Sequence, residues 1–306
     1  MEKIGKSFLI KMKKVANISI FLFVFSFLRI IIKFLIKNII NFPDEITSAI
    51  IYMLIGYVTD IPIVYYFIKN NKKRKYFMKK EKLSIKSFIS CFALMSFISI
   101  ITSILFFIFK LELRKYGGEV LSSYPVQPLT IIFINIFSTV IMAPIVEEII
   151  FRGVIMNDLS EYGYKSAILI NSVLFGLSHT EIERVVLTFL FGIVFSYIAY
   201  RFSLKYSILL HMVWNLCFGL GNSIQSFSKA VVIIIVISAL ILSIILFIVF
   251  IIGMVKRKYS VLFSIFKFDI DDKNNMILFF KNNTMSILII LIIFFINCYI
   301  FICKLG

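Results

Sequence analysis

Apolar residues in this chain fall in long unbroken blocks, without the 3.6-residue period of an amphipathic helix or the alternation of a half-buried strand. Blocks with almost no charge cover about 15–40, 46–68, 87–109, 129–157, 166–181, 185–202, 206–222, 229–255 and 284–303. A helix needs about 20 residues to cross the hydrocarbon core, so blocks of this kind predict membrane helices. The block at 166–181 is short for a crossing, and the one at 129–157 is long enough to tilt or to project. The pattern predicts an all-α fold, a polytopic transmembrane helical bundle with about eight or nine spans. No internal repeat or soluble segment interrupts it, and residues 1–306 read as a single integral membrane domain.

Composition strengthens this class. Hydrophobic residues make up 60% of the chain and charged residues only 16%, where soluble proteins carry about a quarter. The formal net charge of +17 is gathered into clusters: Lys3 to Lys14, the stretch "NNKKRKYFMKKEK", Lys165, Arg201 with Lys205, and "KRK" at 256–258. Every second loop is basic, so the positive-inside rule expects the N-terminus in the cytoplasm of a cell membrane crossed several times. Anionic headgroups account for the charge, and no soluble basic domain offers a nucleic-acid surface.

Several weaker signals end here. The first block is too long for a signal-peptide core and lacks a small-residue cleavage site. Arg29, Lys33 and Lys37 recur every four residues and line one helical face, where snorkelling or pairing is the expected role. Cys91, Cys217, Cys298 and Cys303 form no CxxC pair. Lys304 spoils a terminal prenylation box. In "DIDDKNN", Lys273 and Phe280 stand where a calcium loop needs oxygen ligands.

The stretch "APIVEEIIFRG" at 143–153 is different, because it sets Glu147, Glu148 and Arg152 inside an apolar block. A mid-membrane charge costs at least about 2.5 kcal/mol, so such residues usually face a cavity or a partner. Glu148 and Arg152, at i and i+4, can pair; Glu147 points roughly 100° away and is left for other work. A structural salt bridge explains the first two and not the third. The two histidines of the chain, His179 and His211, close "FGLSH" and open "HMVWN", and Asn215 lies one turn beyond His211. Counted from the flanking polar loops at 1.5 Å per residue, Glu147, His179 and Asn215 lie about 16, 21 and 15 Å deep. A water-filled pocket open to the cytoplasm is expected to gather these groups.

Together "EEIIFR", "FGLSH" and "HMVWN" resemble the EExxxR, FxxxH and HxxxN motifs of the type II CAAX prenyl endopeptidase family, also called CPBP or Abi intramembrane proteases. The resemblance spans about 129–220, read as the catalytic core. It implies that Glu147 and His179 activate a water, that His211 and Asn215 stabilise an oxyanion, and that Glu148 and Arg152 order the site. Zinc is left open as a cofactor, with Glu147, His179 and His211 as its ligands; the absence of HExxH favours metal-free catalysis. Partners are the lipid bilayer and a peptide or membrane-protein substrate. Abundant Lys, Ile, Asn and Phe point to a bacterial source, where prenylated substrates are improbable. The alternative is a non-catalytic bacteriocin-immunity or regulatory membrane protein. A proton-coupled transporter using Glu147, Glu148 and Asp60 would need duplicated broken helices, and none is visible.

Overall fold

The structure, a computed structural model, describes residues 2–58, 60–70, 81–114, 128–160, 163–179, 182–219 and 229–303. Every regular element among the described residues is a helix. These are α1 (Glu2–Ile39), α2 (Glu45–Val58), α3 (Ile61–Asn70) and α4 (Ile85–Arg114), then α5 (Leu129–Ser160). There follow α6 (Tyr164–Leu177), α7 (Ile182–Arg201), α8 (Leu204–Phe218), α9 (Lys229–Val255), α10 (Ile270–Asn282) and α11 (Thr284–Cys303), with short helical turns at Ser260–Phe263 and Ser264–Phe266 between α9 and α10.

The expected eight or nine spans are too many. Among the described residues five helices are long and apolar enough to cross a membrane, within α1, α4, α5, α7 and α9, or six if the pair α10–α11, bent by 74°, counts as one. The excess comes from blocks that fold into shorter pieces. The block at 46–68 breaks at Asp60 into helices of 14 and 10 residues, and Pro62, which lacks an N–H, sits in the first turn of the second. Helix α6 has 14 residues, about 21 Å of rise against a core of about 30 Å.

Helix α5 departs from α geometry twice, at Phe137–Met142 and at Ile149–Met156, where the turns widen to π. Pro144 supplies a cause for the first. The N–H of Ala143 bonds to the carbonyl of Ser138, five residues back, and Pro144 has no N–H with which to continue the ladder.

Helices α6 and α7 pack along one another, and α7 packs in turn on α4 and α8. Small residues set the spacing of the first pair. A Cβ on Gly176 would lie 2.9 Å from the Val185 carbonyl oxygen and 3.0 Å from Phe189 Cβ, and one on Gly192 would lie 3.1 Å from Ser172 Cα. Asn171 donates to Ser196 Oγ across the same interface at 2.9 Å. At the far side, α10 starts with a capping box in which Asp269 accepts from the Asp272 N–H and Asp272 from the Asp269 N–H. "DIDDKNN" therefore works as a helix cap.

Candidate active site

Glu148 is the hub of the polar core. Its carboxylate is fully buried and can only accept hydrogen bonds, and it has three donors. Arg152 Nη1 donates to Oε1 at 2.9 Å, His211 Nδ1 to the same oxygen at 3.1 Å, and Ser207 Oγ to Oε2 at 2.6 Å. Arg152, equally buried, sends Nη2 to the Gly192 carbonyl at 3.2 Å and lays its guanidinium 4.3 Å over the Phe175 ring. One ion pair thus ties α5 to α6, α7 and α8. A buried pair of this kind is tolerable only when its remaining hydrogen-bonding capacity is met, as most of it is here.

These partners fix both imidazoles. A carboxylate accepts only, so the hydrogen of neutral His211 lies on Nδ1, and its Nε2 faces Glu147 Oε2 at 4.0 Å. The ring stacks on Phe195 at 4.6 Å between centroids. His179 is held in the same manner: its Nδ1 donates to the Phe175 carbonyl at 3.0 Å, which leaves Nε2 as the free nitrogen. Phe175 meets the His179 ring edge-on and also backs Arg152, so the aromatic one turn before His179 serves both groups.

Glu147 and His179 line one cavity of about 370 Å³. Its opposite wall comes from the N-terminal helices: Arg29 and Lys33 of α1, Tyr57 of α2, and Asp60. Arg29 bonds to the Gly56 carbonyl and lies 3.3 Å from Asp60 Oδ2. Tyr57 reaches Ser138 Oγ at 2.8 Å, at the wide turn of α5.

Of the residues expected at the site, Glu147, His179 and His211 converge, with Glu148 and Arg152 directly behind them. Asn215 Nδ2 donates one hydrogen to the Thr139 carbonyl at 2.9 Å. That carbonyl is an orphan of the wide turn, since Ala143 bonds to Ser138 and Pro144 offers no hydrogen. Ser207, Arg29, Tyr57 and Asp60 were not expected here in these roles. Ser207 was within reach of the spacing, because Ser207, His211 and Asn215 form an i, i+4, i+8 stripe on α8.

His179 and His211 each keep one free ring nitrogen and Glu147 a carboxylate, but among the described residues no three His, Cys, Asp or Glu side chains gather closely enough to hold an ion. The arrangement does not fit a preformed zinc site of three protein ligands.

Residues 128–217 match the family described as "Type II CAAX prenyl endopeptidase Rce1-like". A curated relative, "Membrane-embedded CAAX protease MroQ" of Staphylococcus aureus (strain USA300), is 28% identical over 188 residues, covering 56% of this chain and 73% of its own length. No solved structure gives a significant match.

Proposed function

We propose that the chain, whose residues 128–217 match the type II CAAX prenyl endopeptidase Rce1-like family, is an intramembrane peptidase of that family whose base is Glu147. The observation that carries the reading is that Glu147 and His179, whose Nε2 is free, line one cavity, backed by the buried Glu148–Arg152 pair.

In this mechanism a water between Glu147 and His179 gives a proton to the Glu147 carboxylate as its oxygen attacks the peptide carbonyl. His179 orients that water through Nε2, because its Nδ1 is held by Phe175. The carbonyl π pair moves onto oxygen. When protonated, His211 presents Nε2–H to this oxyanion while its Nδ1–H stays on the Glu148 carboxylate. Asn215 adds the second hydrogen of an amide whose first is anchored on Thr139. Collapse of the intermediate breaks the C–N bond, and the proton held by Glu147 passes to the leaving amine. Glu148 and Arg152 touch no substrate and hold His211 in place.

The substrate is a peptide or a membrane-protein segment entering a bacterial cell membrane site, with the N-terminus of the enzyme in the cytoplasm. No step requires a metal. The purified protein, reconstituted and stripped with a strong zinc chelator, is expected to keep cleaving an internally quenched peptide reporter, since removing an ion the mechanism does not use changes no transition-state contact. Loss of turnover that zinc alone restores, with the circular dichroism unchanged, would overturn the metal-free step and assign His179 and His211 as ligands.

A further inference from the structure

A second cavity, of about 460 Å³, opens where α4, α7 and α9 end, and its lining includes Lys82, Lys86, Arg201 and Lys258. One carboxylate, Glu81, also lines it, and Arg201 Nε engages that group at 3.1 Å while Nη1 holds Tyr197 at 3.1 Å. The ammonium groups of Lys82, Lys86 and Lys258 have no hydrogen-bonding or ion-pair partner among the described residues. Three lysines thus line a cavity whose one carboxylate among the described residues, Glu81, is already engaged by Arg201. Ser84 and Ser87 add hydroxyl groups at the start of α4, where the first N–H groups of a 30-residue helix lie. The Tyr259 hydroxyl donates to the Ser90 carbonyl at 3.0 Å and closes the inner end.

We propose that this cavity binds the phosphate of an anionic phospholipid headgroup. Free phosphate has the same chemistry; the setting favours the lipid. The apolar spans Ile85–Ile108 and Arg184–Arg201 each have an end at this cavity, and Val231–Val255 stops three residues before Lys258. The cavity therefore lies where hydrocarbon gives way to headgroups. Ile85 and Ile89, 70% and 41% exposed on α4, offer apolar surface for the acyl chains next to Lys86. Basic pockets between membrane helices are built for such headgroups.

The test is native mass spectrometry of the full-length protein released from bilayers of phosphatidylcholine doped with phosphatidylglycerol. Wild type is expected to retain phosphatidylglycerol. The Lys82→Gln/Lys86→Gln/Lys258→Gln variant is expected to retain at least roughly tenfold less. The Lys273→Gln/Lys281→Gln variant, which removes two exposed cations from α10, is expected to match wild type. The single Lys258→Glu variant, changed at an exposed position, gives an independent reading in the same direction should the triple substitution lower the yield of folded protein. Equal retention by wild type and the triple variant, or equal loss from the α10 variant, would overturn the site. Displacement of the lipid by millimolar inorganic phosphate would overturn the lipid assignment in favour of a soluble phosphate ligand.

Discussion

Glu148 shows how one residue can decide a membrane core. Its two oxygens serve Arg152, His211 and Ser207 with no exposure to solvent, so removing a donor leaves a charge where nothing else can solvate it. Arg152→Ala is expected to cost about 3–5 kcal/mol of stability, read as a lowered melting temperature and a lower yield of folded protein. Normal folding with loss of turnover alone would make the arginine part of the chemistry. Ser207→Ala is expected to cost less, about 1–3 kcal/mol, the range for one buried acceptor left short of a partner. The pairing of Glu148 with Arg152, and the separate direction of Glu147, were legible in the spacing of "EEIIFR". The engagement of Asn215 was not. It depends on Thr139 losing its partner to the geometry around Pro144, and no i, i+4 rule within α8 carries information about a carbonyl on α5.

At the scale of elements, the α6–α7 contact is where backbone approach is limiting. Gly176→Ala would drive a Cβ to 2.9 Å from a backbone oxygen of Val185, an atom that moves only with its helix. A cost of about 1–3 kcal/mol is expected, with turnover falling as well because α6 ends next to His179. An unchanged melting temperature would contradict the tight packing described here. Helix α10 gives a pH dependence outside the spans. Asp269 is held below the ordinary carboxylate range by the Asp272 backbone N–H that it caps, and Lys165 is raised chiefly by its hydrogen bond to Asp272. The depressed carboxyl contributes stability that is present above its unfolded value and lost as pH falls through its lowered one. The raised amine contributes below its unfolded value, and that contribution is lost as pH rises through its raised one. Docking of α10 is therefore expected to be firmest between those two ranges, and a spin label at Lys273→Cys should become more mobile on either side. Mobility independent of pH would remove the Lys165 clamp from the account. Block boundaries in the sequence were enough to find every long helix. They could not show that Asp60 divides one block or that α10 and α11 bend, because those breaks are set by tertiary contacts such as the one between Asp60 and Arg29.

For the whole molecule, Glu147 and His179, from two of the three sequence motifs, line one candidate cavity, and the N-terminal helices supply other parts of its wall. Arg29 and Lys33 were expected to snorkel or pair, and Arg29 does pair, with Asp60. Both also line the cavity shared by Glu147 and His179, since α1 leans on α2 and on the end of α5. Hydropathy identifies a membrane helix but not its neighbours, and a cavity formed by helices more than 100 residues apart in the chain is a property of their packing. The central claim is that the carboxylate of Glu147 activates the attacking water. Its most direct measurement is the turnover of an internally quenched peptide by wild type and by Glu147→Gln, each reconstituted and shown to melt at the same temperature. The amide has nearly the shape of the carboxylate but cannot take the proton, so turnover is expected to fall by roughly 10²–10⁴-fold. Retention of near wild-type turnover by a folded Glu147→Gln protein would contradict the account.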